Sequence, residues 1–466
     1  MTVFEGPKPQ VPPDQISQLL DRHYHIAGDL SPLVSERDQN VLIKTAGGDY
    51  VLKIANAGED RSVLALQSAV LKHLAKVDPD LGVPRLVPTR DGEDMTELRI
   101  GEISHAVRLL TYLSGTLYSA VEQTPALGAS LGGFMGRLSR ALRGFGHPAA
   151  HRPGFLWSLD EVTNIKPWLG DITDRENRAV ASRIFERYEA RVLPRLDGLR
   201  AAVVHQDAND NNILVGRDGR TVTGLIDFGD MCFGRQINEL AVTLAYALLD
   251  KDDLYAHARP LIAAYAREMP LLDSEAEVLF DLVAARLAAS VSVSSHRARR
   301  FPDNDYLLIS QAPAFRLLER LDKTNPAFLA AVAREAAGLA PVPSHDAIVA
   351  WLKDNVLERA PLLDFDLDAA PRLLLKLEDG APGMEHAGDR QVFGQWLDRR
   401  MAEAGARYAI GLWGENRSVY KGEQVRTPAS PEWRSQHLGL DLFVPAGTPV
   451  LALLDGNVLS VADNDI

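Results

Sequence analysis

Apolar positions change their period along this chain, and the changes mark where strands give way to helices. Residues 16–24 have helical spacing and predict a short helix. Residues 32–43 and, after the Gly47-Gly48 turn, 50–54 are short apolar runs that predict three antiparallel strands. Residues 63–74 return to helical spacing, and 107–113 read as an apolar strand closed by a turn at Gly115. Helical patterns then dominate over 126–142, 174–193 (stopped by Pro194), 241–249, 254–269 and 275–293. Gly128, Gly132, Gly133 and Gly136 sit beside apolar residues in the first of these. No strand precedes them, so they predict close helix contact rather than a phosphate loop. One strand-rich interruption breaks the helical half: Val203-Val204, then 213–215, a turn at 217–220, and 222–226. The last two runs predict a hairpin. A small sheet followed by a larger helical part is an α+β arrangement.

The interruption also carries the chemistry. His205, Asp207 and Asn212 stand as H-x-D-x-x-x-x-N between apolar runs, and the second hairpin strand ends in Asp227-Phe228-Gly229. Phosphoryl transfer needs a carboxylate to take the proton of an attacking hydroxyl. It also needs an amide and a second carboxylate to hold Mg²⁺ against nucleotide phosphates. Asp207 is the candidate base, and Asn212 and Asp227 are the candidate metal ligands. The hairpin would return Asp227 to the level of Asn212. The competing reading is a set of unrelated polar loop residues. A lone D-F-G would leave it standing; the ordered pair between apolar strands weighs against it.

The segment resembles the aminoglycoside phosphotransferase branch of the protein-kinase-like fold, which includes choline, homoserine and hydroxylysine kinases. That branch lacks the Arg that protein kinases place after the His, and Gln206 stands there. After Asp230 the chain runs through Met231-Cys232-Phe233-Gly234-Arg235-Gln236-Ile237-Asn238-Glu239 directly into a helix, with no Ala-Pro-Glu segment. A small-molecule kinase is therefore expected rather than a protein kinase. The resemblance covers residues 15–345 and implies a bilobal protein-kinase-like fold, with an N-lobe over 15–112 and an α-rich C-lobe over 113–340. It implies ATP or GTP and Mg²⁺ as cofactors. It places a phosphate-covering loop at 35–40, with Ser35 and Asn40 toward the nucleotide; hydroxylysine-kinase-like proteins carry a similar S-E-R-D-Q-N stretch. Lys53, in Val51-Leu52-Lys53-Ile54, takes the place of the lysine that pairs with nucleotide phosphates. Gln67 stands where the family usually has a Glu paired to that lysine. It is expected to accept a hydrogen bond from Lys53 without adding charge, unless Glu59 or Asp60 substitutes. The segment at 107–115 resembles the hinge that meets adenine.

Composition narrows the partners. Two or three domains are expected of 466 residues, and 46% hydrophobic with 24% charged residues allows ample cores. The net charge of −13 argues against nucleic acid or an anionic membrane and is compatible with a cationic substrate. The resemblance, not the composition, implies a small-molecule partner with hydroxyl and amine groups. Asp230 and Glu239 are candidates to hold its ammonium, but a helix-cap or structural role is the expectation for each. The single cysteine, Cys232, excludes an internal disulfide framework and is expected near the metal site as filler. Residues 1–14 are Pro-rich and polar, predicting a flexible tail and no signal peptide. No apolar run reads as long enough to span a bilayer. The expected compartment is the cytoplasm.

Beyond residue 340 the pattern changes. Residues 341–391 hold Pro341, Pro343, Pro361, Pro371 and Pro382 and lose periodicity, predicting a connector. Within 392–466, His437-Leu438-Gly439-Leu440-Asp441 and the β-like residues after it resemble lysostaphin-like (LytM-type) zinc endopeptidases, in which H-x-x-x-D supplies two zinc ligands. Four residues of straight strand span about 13 Å, so the chain must turn at Gly439 for both to reach one ion. The family's later H-x-H is missing; the one H-x-H is His23-Tyr24-His25. Zinc enzymes need three protein ligands. The segment therefore predicts an incomplete β-rich module, and its stop within a β pattern suggests a fragment of a longer protein with further C-terminal domains. Three-part proteins joining such a kinase, a lysostaphin-like module and an aminotransferase-like domain are what the combination resembles. A small-molecule kinase is the leading reading. A zinc endopeptidase and a catalytically weak pseudokinase scaffold are the alternatives.

Overall fold

The structure, a computed structural model, describes residues 8–35, 37–300, 311–355, 360–417 and 436–458. It divides into two compact units, residues 1–341 and 342–466.

The first unit opens with helix α1 (Pro13–Tyr24), begun by a proline whose missing N–H costs nothing at that position. Strands β1 (Asp29–Leu33), β2 (Gln39–Thr45) and β3 (Gly48–Ile54) follow as an antiparallel meander. Helix α2 (Arg61–Val77) starts where the Asp60 carboxylate accepts from Ser62 N–H at 2.8 Å. Then come β4 (Leu86–Val87), β5 (Thr96–Ile100) and β6 (Ile103–Thr111), giving the sheet order β1-β2-β3-β6-β4 with β5 also paired to β6. Ile16, Leu19, Leu20 and Tyr24 of α1 bury against Val41, Ile43, Leu52, Ile54, Val107 and Leu109 of the sheet. The expected tail differs from this. Val11 is buried in the same cluster, and its backbone N–H and C=O exchange hydrogen bonds with the Gln39 amide at 2.7 and 3.0 Å. Residues 8–14 are thus held by a reciprocal pair that periodicity cannot show, and 1–7 lie outside the described residues.

After β7 (Thr116–Leu117) the helical lobe begins with α3 (Pro125–Ala141) and α4 (Arg175–Arg191), joined by a segment with 3₁₀ turns over Leu159–Asp171. Strands β8 (Ala201–Val204), β9 (Ile213–Val215), β10 (Val222–Leu225) and β11 (Cys232–Arg235) form two small antiparallel sheets, β7-β9-β10 and β8-β11. Helices α5 (Ile237–Ala247), α6 (Leu254–Glu268), α7 (Asp273–Arg300), α8 (Gln311–Lys323) and α9 (Pro326–Ala336) complete the lobe. Helices α3 and α6 meet without side chains between them: a Cβ on Gly132 would lie 2.0 Å from the Leu261 carbonyl oxygen. The glycines of α3 therefore mark helix contact, as their setting predicts. Contrary to the sequence expectation, one helix among the described residues, α7, is long and apolar enough to cross a membrane. It is instead wrapped by the lobe, with 89% of its apolar window buried.

The second unit contains α10 (His345–Asp354), β12 (Arg372–Leu375), α11 (Arg390–Glu403), β13 (Tyr408–Gly411) and β14 (Asp441–Phe443). Strand β12 pairs parallel to β13, and β13 antiparallel to β14. Leu375, Leu377, Leu397, Met401 and Ala409 form the core, so α11 covers the sheet. This corrects two expectations. The 341–391 segment is not a bare connector, because β12 supplies a strand to the sheet. The described part of 392–466 is not a β-rich module, because its largest element is a helix. Residues 418–435 and 459–466 of that segment lie outside the described residues.

Candidate active site

Strand β8 delivers the loop that carries Asp207. His205, fully buried, fixes that loop from both of its ring nitrogens. Its Nδ1 accepts from Asp207 N–H at 3.3 Å, and its Nε2–H donates to the Ile226 carbonyl at 3.2 Å. This arrangement needs the neutral ring, and burial holds the imidazole down at about 4. Gln206 takes a left-handed backbone (φ 67°), anchored by its amide donating to the Trp157 carbonyl at 2.9 Å. The Glu239 carboxylate accepts from His205 N–H at 2.6 Å. Glu239 is buried, which pushes it up to about 7, and it braces the loop rather than facing a ligand.

The hairpin closes as predicted. Ile226 N–H donates to the Asn212 carbonyl at 2.9 Å, which sets Asp227 beside the end of the catalytic loop. Asn212 turns its Nδ2 to Asp207, at 2.7 Å from Oδ2 and 2.9 Å from the backbone carbonyl. That orientation leaves the amide oxygen, the atom a hard cation takes. Asp227 has φ 61°, and its Oδ1 accepts from Gly229 N–H at 3.2 Å. Lys53 Nζ lies 3.8 Å from the same oxygen and holds the Asp227 carboxyl below its ordinary range. Asp207, Asn212, Asp227 and Lys53 are therefore brought together. An amide oxygen and a carboxylate are the hard donors that would hold a Mg²⁺-like ion.

The other expected residues fare differently. Asn40 lies directly opposite Lys53 on β2, on the same face of the sheet, and its buried Oδ1 has no hydrogen bond among the described residues. The Ser35 hydroxyl is engaged within its own turn, accepting from Asp38 N–H at 3.3 Å. Gln67 does not reach Lys53. Its Oε1 accepts from Arg108 Nη2 at 2.8 Å, and Arg108 is the residue opposite Lys53 on β6. Two cations side by side on neighbouring strands repel, and burial lowers Arg108. Gln67 relieves the arginine, while Asp227 relieves the lysine. Of the two expected alternatives, Asp60 caps α2.

Sequence reasoning missed three residues. Arg37 reaches across from the β1–β2 loop to Asp230, with Nη2 and Oδ1 3.8 Å apart; its place within S-E-R-D-Q-N was the available signal. Arg152 donates to the carbonyls of Gly229 and Met231, both at 3.1 Å, holding the turn after Asp227. Arg286, an arginine in the middle of an apolar helix, donates to Asp207 Oδ1 at 3.2 Å. Burial, reinforced by Asp230, pushes Asp207 up to about 7, and Arg286 opposes the rise. Burial likewise raises Asp230. Cys232 is buried on β11, and its thiol is pushed up to about 12, which suits the filler role.

In the second unit, His437 Nε2 lies 3.4 Å from Asp441 Oδ1, so the turn at Gly439 does bring the pair together. Arg417 occupies the other side of Asp441, with Nη1 2.6 Å from Oδ2. No group of three or more His, Cys, Asp or Glu side chains is placed to hold a metal among the described residues. The lysostaphin-like reading gains no support here.

A small antiparallel sheet over a helical lobe, with Lys, Asp, Asn and Asp converging between them, defines a phosphotransferase. Residues 29–277 match the model of the phosphotransferase enzyme family, and the chain belongs to that family. The hydroxylysine kinase of Xenopus laevis is 31% identical over 342 residues, covering 67% of this chain and 90% of that protein. The microcompartment-associated aminopropanol kinase superposes with a TM-score of 0.55 at 18% identity, over 67% of this chain and 99% of the other. Amicoumacin kinase hAmiN, in complex with AMP-PNP, Ca²⁺ and its ligand, superposes with a TM-score of 0.52 at 14% identity, over 68% and 95% of the chains. At these identities the two structures speak for the fold. The protein is a small-molecule kinase that acts on a hydroxyl group, working with a nucleotide and a divalent metal.

Proposed function

We propose that the enzyme transfers the γ-phosphate of ATP, or GTP, to a hydroxyl of an amine-bearing metabolite, and that a hydroxyamino acid is the acceptor. The observation that carries the reading is the Asn212 amide, which donates to Asp207 Oδ2 at 2.7 Å while its backbone carbonyl receives Ile226 N–H at 2.9 Å. One residue thereby fixes the base and the metal-side strand together. Asp207 orients the acceptor hydroxyl and takes its proton as the new O–Pγ bond forms and the bond from Pγ to the β-phosphate oxygen breaks, releasing the nucleoside diphosphate. Lys53 pairs with nucleotide phosphate oxygens, and Asn40 shares its face of the sheet. Asn212 and Asp227 hold Mg²⁺, which when bound neutralises charge on the phosphates. The acceptor class rests on the likeness to hydroxylysine kinase and the net charge of −13. A cytoplasmic setting, where ATP and Mg²⁺ are present, fits this reading. The second unit enters it only as a resemblance: the H-x-x-x-D spacing keeps its lysostaphin-like look, with Arg417 on the aspartate.

The test is a screen of hydroxylysine, homoserine, amino alcohols and aminoglycosides for Mg²⁺-dependent ADP or GDP release, with phosphorylated product followed by mass spectrometry. Phosphorylation of hydroxyamino acids above the other classes is expected. Transfer confined to aminoglycosides would overturn the acceptor class, and nucleotide binding with no transfer to any acceptor would favour the scaffold reading.

A further inference from the structure

Asp207 sits in a cage of three donors. Asn209 Nδ2 and Arg286 Nη2 both donate to Oδ1, at 3.0 and 3.2 Å, and Asn212 Nδ2 donates to Oδ2 at 2.7 Å. An ionised carboxylate offers about four lone-pair sites. Three are taken, two on Oδ1 and one on Oδ2, so the remaining one is on Oδ2. That is the atom left for an acceptor hydroxyl. Two of the three donors come from the catalytic loop itself and would follow any movement of it. Arg286 does not, because it stands on α7, a helix buried in the lobe.

The arginine is itself immobilised. Its side chain is 2% exposed. The guanidinium carbon lies 4.6 Å from the centroid of the Trp157 ring and 5.6 Å from that of Tyr246. Aromatic faces hold a desolvated cation and leave its planar fork little freedom to turn. Trp157 also anchors the loop from its backbone, since its carbonyl receives the Gln206 amide. The same residue thus seats the left-handed loop backbone and the arginine that grips the next residue along. A cation with so little exposure cannot reach a substrate. Its contact with the reaction runs through Asp207.

Building on the kinase reading above, we propose that Arg286 is a positioning residue: held by Trp157 and Tyr246, it fixes the rotation of the Asp207 carboxylate so that Oδ2 meets the acceptor hydroxyl. The role requires a cation with a fixed fork at this place. Lysine keeps the charge and loses the fork; methionine keeps much of the volume and loses both.

The full-length protein is assayed with Mg²⁺·ATP, with hydroxylysine as acceptor and, in parallel, with water as the acceptor in slow nucleotide hydrolysis. Arg286→Met is expected to lower kcat by about 30-fold to 100-fold, within the range for a misplaced catalytic group. The KM and the calorimetric affinity for Mg²⁺·ATP should stay within about twofold, because the arginine touches neither metal ligand. Arg286→Lys should recover about tenfold of the loss. Against an Asp207→Asn background, Arg286→Met should have no further effect, because its whole contribution passes through that carboxylate. Full additivity of the two substitutions would overturn the proposal, as would equal damage to nucleotide affinity and kcat. If Arg286→Met loses its cooperative melting transition, Arg286→Lys combined with Asp207→Asn decides the same question. Wild-type hydrolysis of nucleotide without transfer to hydroxylysine would count against the acceptor assignment alone, since the water reaction still reads the arginine.

Discussion

His205 donates from Nε2 to the carbonyl of Ile226, 3.2 Å away, and so the loop bearing the base is tied to the strand that delivers the metal-side aspartate. Phe228 packs edge-on against the same imidazole, with ring centroids 4.7 Å apart. The site is therefore one cross-braced unit.

That bracing predicts a separation of effects. Asp207→Asn should keep Mg²⁺-dependent nucleotide binding and lower turnover by about 10²–10⁴, the usual value of a positioned base. Asp227→Ala should remove Mg²⁺-dependent nucleotide binding itself, because a metal oxygen and the partner of Lys53 are lost together. Calorimetry with and without Mg²⁺ checks both, and equal binding losses would contradict the division of roles.

Gln67→Ala should damage stability more than catalysis. Its oxygen is the acceptor for the buried Arg108 guanidinium. Removing it leaves a desolvated donor unpaired, at a cost of about 1–3 kcal/mol. Chemical denaturation should show that loss, while nucleotide affinity at low temperature should stay within about threefold. A large fall in affinity with unchanged stability would return Gln67 to Lys53.

The hairpin and its motif were legible because they are local: short apolar runs, a Gly219 turn and an ordered set of polar residues within one stretch of chain. Helices α1 to α7 were legible for the same reason, whereas α8 and α9 were not. Gln67 was misread because choosing between Lys53 and Arg108 depends on which strand lies under α2. Those two cations stand opposite each other on β3 and β6, and no spacing distinguishes them. Arg286 was invisible because its neighbours come from far along the chain. A buried cation in an apolar helix is a signal that something must pair with it, but the sequence does not say what. The docking of Val11 was missed because one side-chain amide, Gln39, reads the backbone there. In the second unit, β12 was lost because a four-residue strand directly after Pro371 shows no period.

His205 makes stability depend on pH in a stated direction. Its folded value of about 4 lies below the ordinary 6.5. Between those limits the unfolded chain binds more protons than the folded one, so this contribution is complete above pH 6.5 and is lost as pH falls toward 4. The full effect is on the order of 3 kcal/mol, and Glu239, pushed up to about 7 by burial, works in the opposite sense. NMR isolates the histidine: its ring signals should stay fixed on acidification from pH 7 to 5. Titration near 6.5 would show that the imidazole is not locked between Asp207 and Ile226.

Gly132→Ala should be the most costly single methyl in the helical lobe. The new carbon would meet the Leu261 carbonyl oxygen at 2.0 Å and the carbonyl carbon at 2.8 Å, and backbone cannot swing aside as a side chain can. Separating α3 from α6 should cost about 1–3 kcal/mol or more. Gly133→Ala, where nothing lies within 4 Å of the added carbon, is the matched control and should be neutral or slightly stabilising. Paired melting curves settle it.

The stitch at the start of the chain has a mechanical consequence. Val11 is bonded at both backbone atoms to Gln39, and Lys8 reaches the Ser35 carbonyl at 2.7 Å. Tension on the chain ahead of residue 8 is thus delivered to the two ends of the β1–β2 turn before it reaches any helix. An anchor or surface attachment at this end acts as a lever on the turn carrying Arg37, whereas a tether on the helical lobe has no such purchase.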